Sequence, residues 1–375
     1  MVMKDIGSQN GAGMEPIAAE AERAFTLPGW AYRDREIFAR EREAIFRRGW
    51  VCVGHLCRLA EAGDFICGYA GDQHVFVIRG EDGRIRGFHN VCQHRAHPLL
   101  EGHGTGQRLI VCPYHAWGYD TRGRLVRAPG SERLEDFAPE AFGLTPVAVE
   151  VFHGLLFVNC DPDASPLSQQ APDLAREIES YFPDLAQHVH LGTIRYDMKM
   201  NWKVRIDNSL ECYHCLPVHK SFCEIVDMKS YRTTVNTVFS TQIGQAKSPA
   251  TDGEDDHVVF WYVWPLTELN ADTSSGMFGV FHNRPVDPGR TILTLDLYGP
   301  ADLGEAQRAE VLQTWLDNET NAEDLRLGEA VQQGVMSIGY RQGRFVVDRS
   351  QHYSEHAVHH FHYLVAGALD LPREG

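Results

Sequence analysis

The sequence predicts an α+β protein in two lobes: a small all-β unit, then an antiparallel sheet packed by helices. Three observations predict it. From Trp50 to about Val149, short β-rich runs such as His74–Arg79 and Leu109–Cys112 alternate with Gly-centred turns. Four more strand-like runs crowd the stretch from Tyr231 to Tyr298. Helical spacing of apolar residues is concentrated before the first unit, in the connecting region and at the end of the chain. At 375 residues the chain exceeds one typical domain and can bury a core in each lobe.

The elements follow in order. Asp34 can cap a helix running to Arg48, with Ile37, Phe38, Ala44 and Ile45 at helical spacing. In the all-β unit, Glu81-Asp82-Gly83 and Thr121-Arg122-Gly123 read as turns. A connecting helix is expected over Ser165–Phe182 and another from about Trp202. Strand runs follow at Tyr231–Ile243, Val258–Trp264, Met277–Asn283 and Arg290–Tyr298. Helices end the chain at Gly304–Leu316, Ala322–Gln333 and His356–Ala368. Thr320 or Asn321 can cap the middle one, and Glu323 and Asp324 suit the positive end of its dipole. The expected division is 1–48 as a tail and helix packing on the second lobe, 49–160 as the all-β unit and 161–375 as the second lobe.

Hydrophobic residues make up 43% and charged residues 23%, as in an ordinary globular protein. The formal charge of −16 argues against nucleic acid as a partner. No apolar run approaches a membrane span, and Met1–Pro16 lacks the apolar stretch of a signal peptide. A mobile N-terminal tail and a cytoplasmic location are therefore expected. The nine cysteines are an odd count spread along the chain, which argues against a disulfide framework and, with clustered histidines, points to metal.

The first candidate metal site is Cys92-Gln93-His94, then 17 residues, then Cys112-Pro113-Tyr114-His115. Two thiolates and two imidazoles can bind zinc, or can split across a [2Fe–2S] cluster with two Cys on one iron and two His on the other. Structural zinc sites favour wider C-x2–4-C and H-x3–5-H spacings, so the cluster is the better reading. The alternatives are a zinc site or scattered core residues.

The second lies in the segment from Asn201 to His219. At about 100° per residue, Glu211 and His214 lie about 60° apart on one helix face. Pro217 is expected to break that helix, so that His219 can turn back toward the same point. Two imidazoles and one carboxylate with open positions make the facial triad of non-haem Fe(II) oxygenases. For the carboxylate, Asp324 competes with Glu323, Asp317 and Glu319, and an acid in the first turn of a helix is common without any metal.

Cys92-Gln93-His94-Arg95 followed by Cys112-Pro113-Tyr114-His115-Ala116-Trp117-Gly118-Tyr119-Asp120 resembles the Rieske domain of ring-hydroxylating and demethylating oxygenases. The resemblance covers nearly the whole chain and is strongest with the oxygenase subunits of the carnitine and γ-butyrobetaine monooxygenases. Asn208 to His219, Phe260 to Pro265, Glu323 to Leu327 and Ser354-Glu355-His356 carry it, and betaine and stachydrine demethylases are similar at greater distance.

It implies an N-terminal all-β Rieske domain and a C-terminal helix-grip (START-like) catalytic domain. It also implies Cys92 and Cys112 on one iron and His94 and His115 on the other, with Tyr114 and Trp117 around them. His214, His219 and Asp324 would hold a mononuclear Fe(II), the family's Glu-Asp-Leu context favouring Asp324. Glu211 would bridge the cluster of one subunit to the iron of its neighbour in a head-to-tail homotrimer; Glu rather than Asp there is typical of the betaine and carnitine branch. Asp207 reads as an acid behind the ligands or a surface charge, Asn208 as a neighbour of the iron, and Cys212 and Cys215 as packing thiols.

The activity implied is a monooxygenase using O2 and electrons from NAD(P)H, delivered by a separate flavin and ferredoxin-type reductase. The substrate implied is a quaternary amine, oxidised with C–N cleavage or N-demethylation. Aromatic faces attract such cations, which makes Trp261, Tyr262 and Trp264 candidates, with Glu268 as a carboxylate nearby. Strand alternation puts Phe260, Tyr262 and Trp264 on one face and Trp261 on the other, so not all can line one cavity. The competing readings are an aromatic-ring dioxygenase or O-demethylase, a Rieske ferredoxin, and a zinc-stabilised binding protein.

Overall fold

The computed structural model describes residues 14–247, 256–350 and 354–374. The tail expected over Met1–Pro16 falls mostly outside them. The N-terminal unit is all-β: a seven-stranded antiparallel sheet from Val51–His55 round to His103–Gly104, and a three-stranded sheet of Leu109–Val111, Gly118–Asp120 and Leu125–Arg127. Gly83 and Gly123 turn the chain at φ +75° and +79°, a region open to glycine at little cost. Cys92, Cys112, Trp117 and Tyr119 sit in one apolar cluster with Phe76, Phe88 and Ile110, so the metal loops grow out of a packed base.

The C-terminal lobe is built on a second seven-stranded antiparallel sheet, in the order Val189–Met198, Arg290–Gly299, Met277–Asp287, Thr267–Asp272, His257–Val263, Phe239–Gln245, Arg232–Val235. Two of these strands are absent from the sequence reading. Val189–Met198 is a half-exposed edge strand whose alternation is broken by a bulge between His190 and Gly192. Thr267–Asp272 is polar yet almost wholly buried, because several of its side chains face a cavity rather than an apolar core. The single run expected over Tyr231–Ile243 is two strands joined by a turn in which Asn236 N–H bonds to Phe239 O.

The connector is also split, into Leu167–Gln170 and Pro172–Tyr181, because Pro172 forces Ala171 out of helical geometry at φ −131°, ψ 61°. Asn318, not Thr320 or Asn321, caps the helix Glu319–Val335, accepting from Thr320 N at 2.9 Å. Asp34 caps Arg35–Glu41 as expected, and that helix continues in a π-helical turn, Arg42–Phe46.

The N-terminal segment belongs to the second lobe's core: Ile17, Leu27, Ile37 and Phe46 share one cluster with Trp202, Leu295 and Phe361. Within it the Lys203 ammonium pairs with the Glu41 carboxylate, both fully buried, while Trp202 Nε1 donates to Glu41 at 2.9 Å. This pair ties the N-terminal helix to the Trp202–Ser209 helix. Lys203→Met strands a buried carboxylate and should cost about 3–5 kcal/mol, whereas the double change with Glu41→Leu should restore most of it. Denaturant midpoints of the two variants check this; equal losses would sink it. No helix among the described residues is long and apolar enough to cross a membrane.

Candidate metal centres and cavity

The two Cys–His loops are built alike. In each, the Cys carbonyl accepts from the residue four positions on (Ala96 N at 2.9 Å, Ala116 N at 3.0 Å). Each Cys N–H in turn donates to the carbonyl five positions on (His97, Trp117). Ala96 and Ala116 both adopt the left-handed region at φ 57°, a strained choice for a residue with a Cβ and one that tightly closed loops impose. The result puts both thiols inside and both imidazoles outward: Cys92 and Cys112 are 2% exposed, His94 is exposed and His115 half-buried. The His rings lie 4.5 Å apart between centroids. Two inner thiolates and two outer imidazoles suit a cluster with one iron on each pair.

Trp117 stacks on His94 at 4.8 Å, and Tyr119, which the sequence reading did not single out, places its hydroxyl 3.4 Å from Cys92 Sγ. Tyr114 is 56% exposed and lies over His115, so it shields one imidazole at the surface.

In the second lobe, His214 Nε2, His219 Nε2 and Asp324 Oδ1 form a triangle with edges of 3.0, 3.0 and 3.4 Å. Three donors on one face of an octahedron with bonds of about 2.1 Å stand about 3.0 Å apart, so the arrangement fits one metal ion with open positions opposite. The local route differs from the one expected. The Trp202–Ser209 helix ends before Glu211, and Glu211 and His214 meet across a turn, not on a helix face. The Glu211 carboxylate closes that turn, accepting from the N–H groups of Tyr213 and His214 and from His214 Nδ1. Pro217 does not break the chain; it lies in the short helix Cys215–Val218, within the first turn, where its missing N–H is unneeded. His219 itself, at φ −97° and ψ 74°, interrupts the helix.

Asp324 lies well inside its helix, not at its opening. Its local rival Glu323 binds His219 Nδ1 at 2.7 Å, so consecutive acids reach one imidazole from both sides. Asn208 Nδ2 donates to Asp324 Oδ1 at 3.0 Å. Asp207 faces away: its oxygens take Tyr32 OH and His362 Nε2, each at 2.7 Å, which fixes the end of the helix that carries Asn208. Cys212 and Cys215 are not free packing thiols but are joined as a disulfide, their Cα atoms being 4.9 Å apart.

Burial alone would lower His214, but the Asp324 and Glu211 carboxylates outweigh it and hold the imidazole at about 10. Burial likewise opposes the charge on Asp324, yet His214 and His219 hold it well below the usual carboxylate range. Without metal the His214 imidazole is therefore protonated at neutral pH, and a metal must displace that proton to bind. Loading chelator-stripped protein at pH 7 should release about one to two protons per ion, and affinity should fall as pH falls. A weakly buffered titration with Zn2+ reads this directly; binding without proton release would contradict it.

The triad opens on a cavity of about 330 Å³, the size of a small-molecule site. The expected aromatic cage holds only in part. Trp261 and Tyr262 border the cavity but are committed elsewhere: Trp261 Nε1 donates to Glu177 at 3.0 Å, and Tyr262 packs on Phe361 with its hydroxyl on Pro265 O at 2.8 Å. Trp264 packs on Phe361 in the core. Glu268 lines the cavity but is taken by Arg205 at 2.9 Å, Asn283 at 3.2 Å and the Ser209 hydroxyl. Further aromatic lining comes from Phe222, Tyr231 and Phe260, with Phe222 6.4 and 6.2 Å from the other two rings, and from Phe281 and Trp315, 6.3 Å apart. Phe222 was discoverable, three residues beyond His219; Tyr231 was not, because only the fold brings it there.

A Rieske loop pair on a β unit, with a His-His-Asp face inside an antiparallel-sheet lobe, defines a Rieske non-haem iron oxygenase. Residues 49–138 match the Rieske [2Fe-2S] domain family, and residues 185–370 match the catalytic domain of the ring-hydroxylating alpha subunit. The chain is 35% identical to the carnitine monooxygenase oxygenase subunit of Escherichia coli (strain K12), over 94% of this chain and 96% of that one. It is 29% identical to the chloroplastic choline monooxygenase of Arabidopsis thaliana, over 93% and 84%. The crystal structure of the quaternary ammonium Rieske monooxygenase CntA with L-carnitine superimposes at a TM-score of 0.85 and 33% identity, covering 93% of this chain and 97% of that one. This chain belongs to the Rieske oxygenase family that includes the carnitine monooxygenase oxygenase subunits.

Proposed function

We propose that this chain is the oxygenase component of a two-component monooxygenase that oxidises a quaternary-ammonium, betaine-type substrate by C–N cleavage or N-demethylation. One observation carries the reading: the His214, His219, Asp324 triangle opens on a cavity lined by aromatic rings, Phe222, Tyr231 and Phe260 among them, and bordered by the carboxylates of Glu211, Glu268, Asp272 and Asp324. Aromatic faces and excess negative charge favour a cation that has no hydrogen to donate. CntA, 33% identical, has been crystallised with both L-carnitine and γ-butyrobetaine, which supports the same substrate class here.

In this reading Cys92, His94, Cys112 and His115 hold the cluster, and His214, His219 and Asp324 hold the mononuclear iron. Iron bound there supplies activation of O2 for insertion into a substrate C–H bond. The protein's own residues hold and shield it: Glu211 and Glu323 orient the two imidazoles from behind, and Asn208 steadies Asp324. Up to residue 48 the chain is a tail and helix, whose described part from Met14 onward packs on the catalytic domain; 49–160 form the Rieske domain and the rest of the chain the catalytic domain. Electrons come from NAD(P)H through a separate flavin and ferredoxin-type reductase, and Glu211 links neighbouring subunits of a cytoplasmic homotrimer.

The test is NADH- and O2-dependent turnover of carnitine, γ-butyrobetaine, glycine betaine, stachydrine and choline, following trimethylamine and formaldehyde. Coupled product from one of them supports the reading. Protein that takes none of them, yet forms a cis-diol or phenol from an aromatic, would overturn it in favour of a ring hydroxylase.

A further inference from the structure

The cavity holds one Arg or Lys among its described lining residues, Arg205, and the aromatic wall does not account for it. Arg205 projects from the same face of the Trp202–Ser209 helix as Asn208 and Ser209, at i, i+3 and i+4. Its side chain is 14% exposed, enough to reach the cavity and too little to be solvated as a surface charge. The guanidinium has five N–H donors, and its one ion-pair partner among the described residues is Glu268. Glu268 is itself fixed by Ser209 and Asn283. The guanidinium is thus held by Glu268 and over the Phe281 ring, 6.0 Å from its centroid, and it lines the cavity together with Asp324.

A cavity for a simple cation has no use for this group. A buried guanidinium facing a cationic ligand repels it, and an apolar or hydroxyl side chain would serve better. A forked donor instead matches a carboxylate. Phe222, Tyr231 and Phe260 reach the same cavity from elements other than the helix that carries Arg205.

We infer that Arg205 determines specificity by binding the substrate's carboxylate, so that the enzyme selects zwitterionic betaines, with the quaternary ammonium held against Phe222, Tyr231 and Phe260. The inference rests on the proposed quaternary-amine activity and narrows it to substrates carrying both charges. Choline, which has the cation alone, is then a poor ligand.

The matched probes are γ-butyrobetaine and its methyl ester, which differ in the carboxylate charge. Dissociation constants of both are measured by calorimetry on the iron-loaded enzyme, and KM and kcat on the same preparation with reductase. The wild type should bind the acid about 10- to 100-fold more tightly than the ester, the range of a hydrogen bond to a charged group. Arg205→Gln should erase that preference by weakening the acid alone. Because this change leaves Glu268 unpaired, the double variant R205Q/E268Q is measured beside it and should behave the same way. Cluster absorbance and iron content confirm that each variant is intact.

Equal weakening of acid and ester in both variants would make Arg205 a structural partner of Glu268 and overturn the assignment while leaving the proposed function standing. An unchanged preference would overturn it equally. Wild-type enzyme that neither binds nor consumes either probe would take down the proposed function and the anchor together.

Discussion

Glu211→Ala should keep the cluster and the iron but lose substrate turnover by about 100-fold or more, the upper end of what removing a carboxylate behind a metal ligand costs. Within its own chain the Glu211 carboxylate closes the turn that presents His214. Two roles therefore compete, that of holding His214 and that of linking two subunits, and they predict different rates. The cluster is reduced anaerobically, substrate is added, and its re-oxidation on mixing with O2 is followed by stopped flow. A severed link leaves re-oxidation slow although iron is present. A positioning role leaves it fast once rates are normalised to iron. Glu211→Gln keeps an oxygen to accept from His214 Nδ1, so it should retain iron fully, and it separates loss of charge from loss of the hydrogen bond. Fast re-oxidation in both variants would dismiss the link. Exposed Tyr213 and Leu216, at 49% and 52%, flank Glu211 on the surface where a neighbouring subunit would have to dock.

Asp324→Ala should strip the mononuclear iron and leave the cluster untouched. It removes one of the three donors grouped among the described residues, so the loss in affinity should exceed the roughly 10–100-fold that changes behind the ligands produce. The red-brown absorbance stays, because the cluster loops fold on a separate core. Metal analysis should fall from about three irons per chain to about two, the cluster alone. Glu323→Gln is the matched control: it keeps a neutral acceptor on His219 Nδ1 and should weaken iron within that 10–100-fold range, without abolishing binding. If Glu323→Gln loses the iron and Asp324→Ala keeps it, the carboxylate ligand has been assigned to the wrong neighbour.

The contrast between these two acids shows where sequence reading stops. They are adjacent, equally charged and in the same helical turn, and spacing alone left both open. Direction separates them: successive helix positions point about 100° apart, so one carboxylate faces Nε2 of His219 and the other reaches its Nδ1. The aromatics illustrate the same limit. Trp261, Tyr262 and Trp264 looked like a cation cage because they are large and close in sequence, yet alternation turns Trp261 to Glu177 and leaves Tyr262 and Trp264 on the other face, both packed on Phe361. Phe222, Tyr231, Phe260, Phe281 and Trp315, from five separate segments, complete the aromatic lining.

What the sequence determined by itself is chemistry confined to short windows. The Cys–His pairs, the two imidazoles five residues apart and the terminal helices are local, because ligand spacing and helical periodicity are set within a few residues. The tertiary structure decided everything that joins distant segments. It brought Asp324 across 105 residues to His219. It buried the polar strand Thr267–Asp272 against a cavity, and it committed Glu268 to Arg205. The physical reason is that a buried polar group takes whatever partner the fold places within hydrogen-bond reach, and that partner is fixed by packing, not by proximity in the chain.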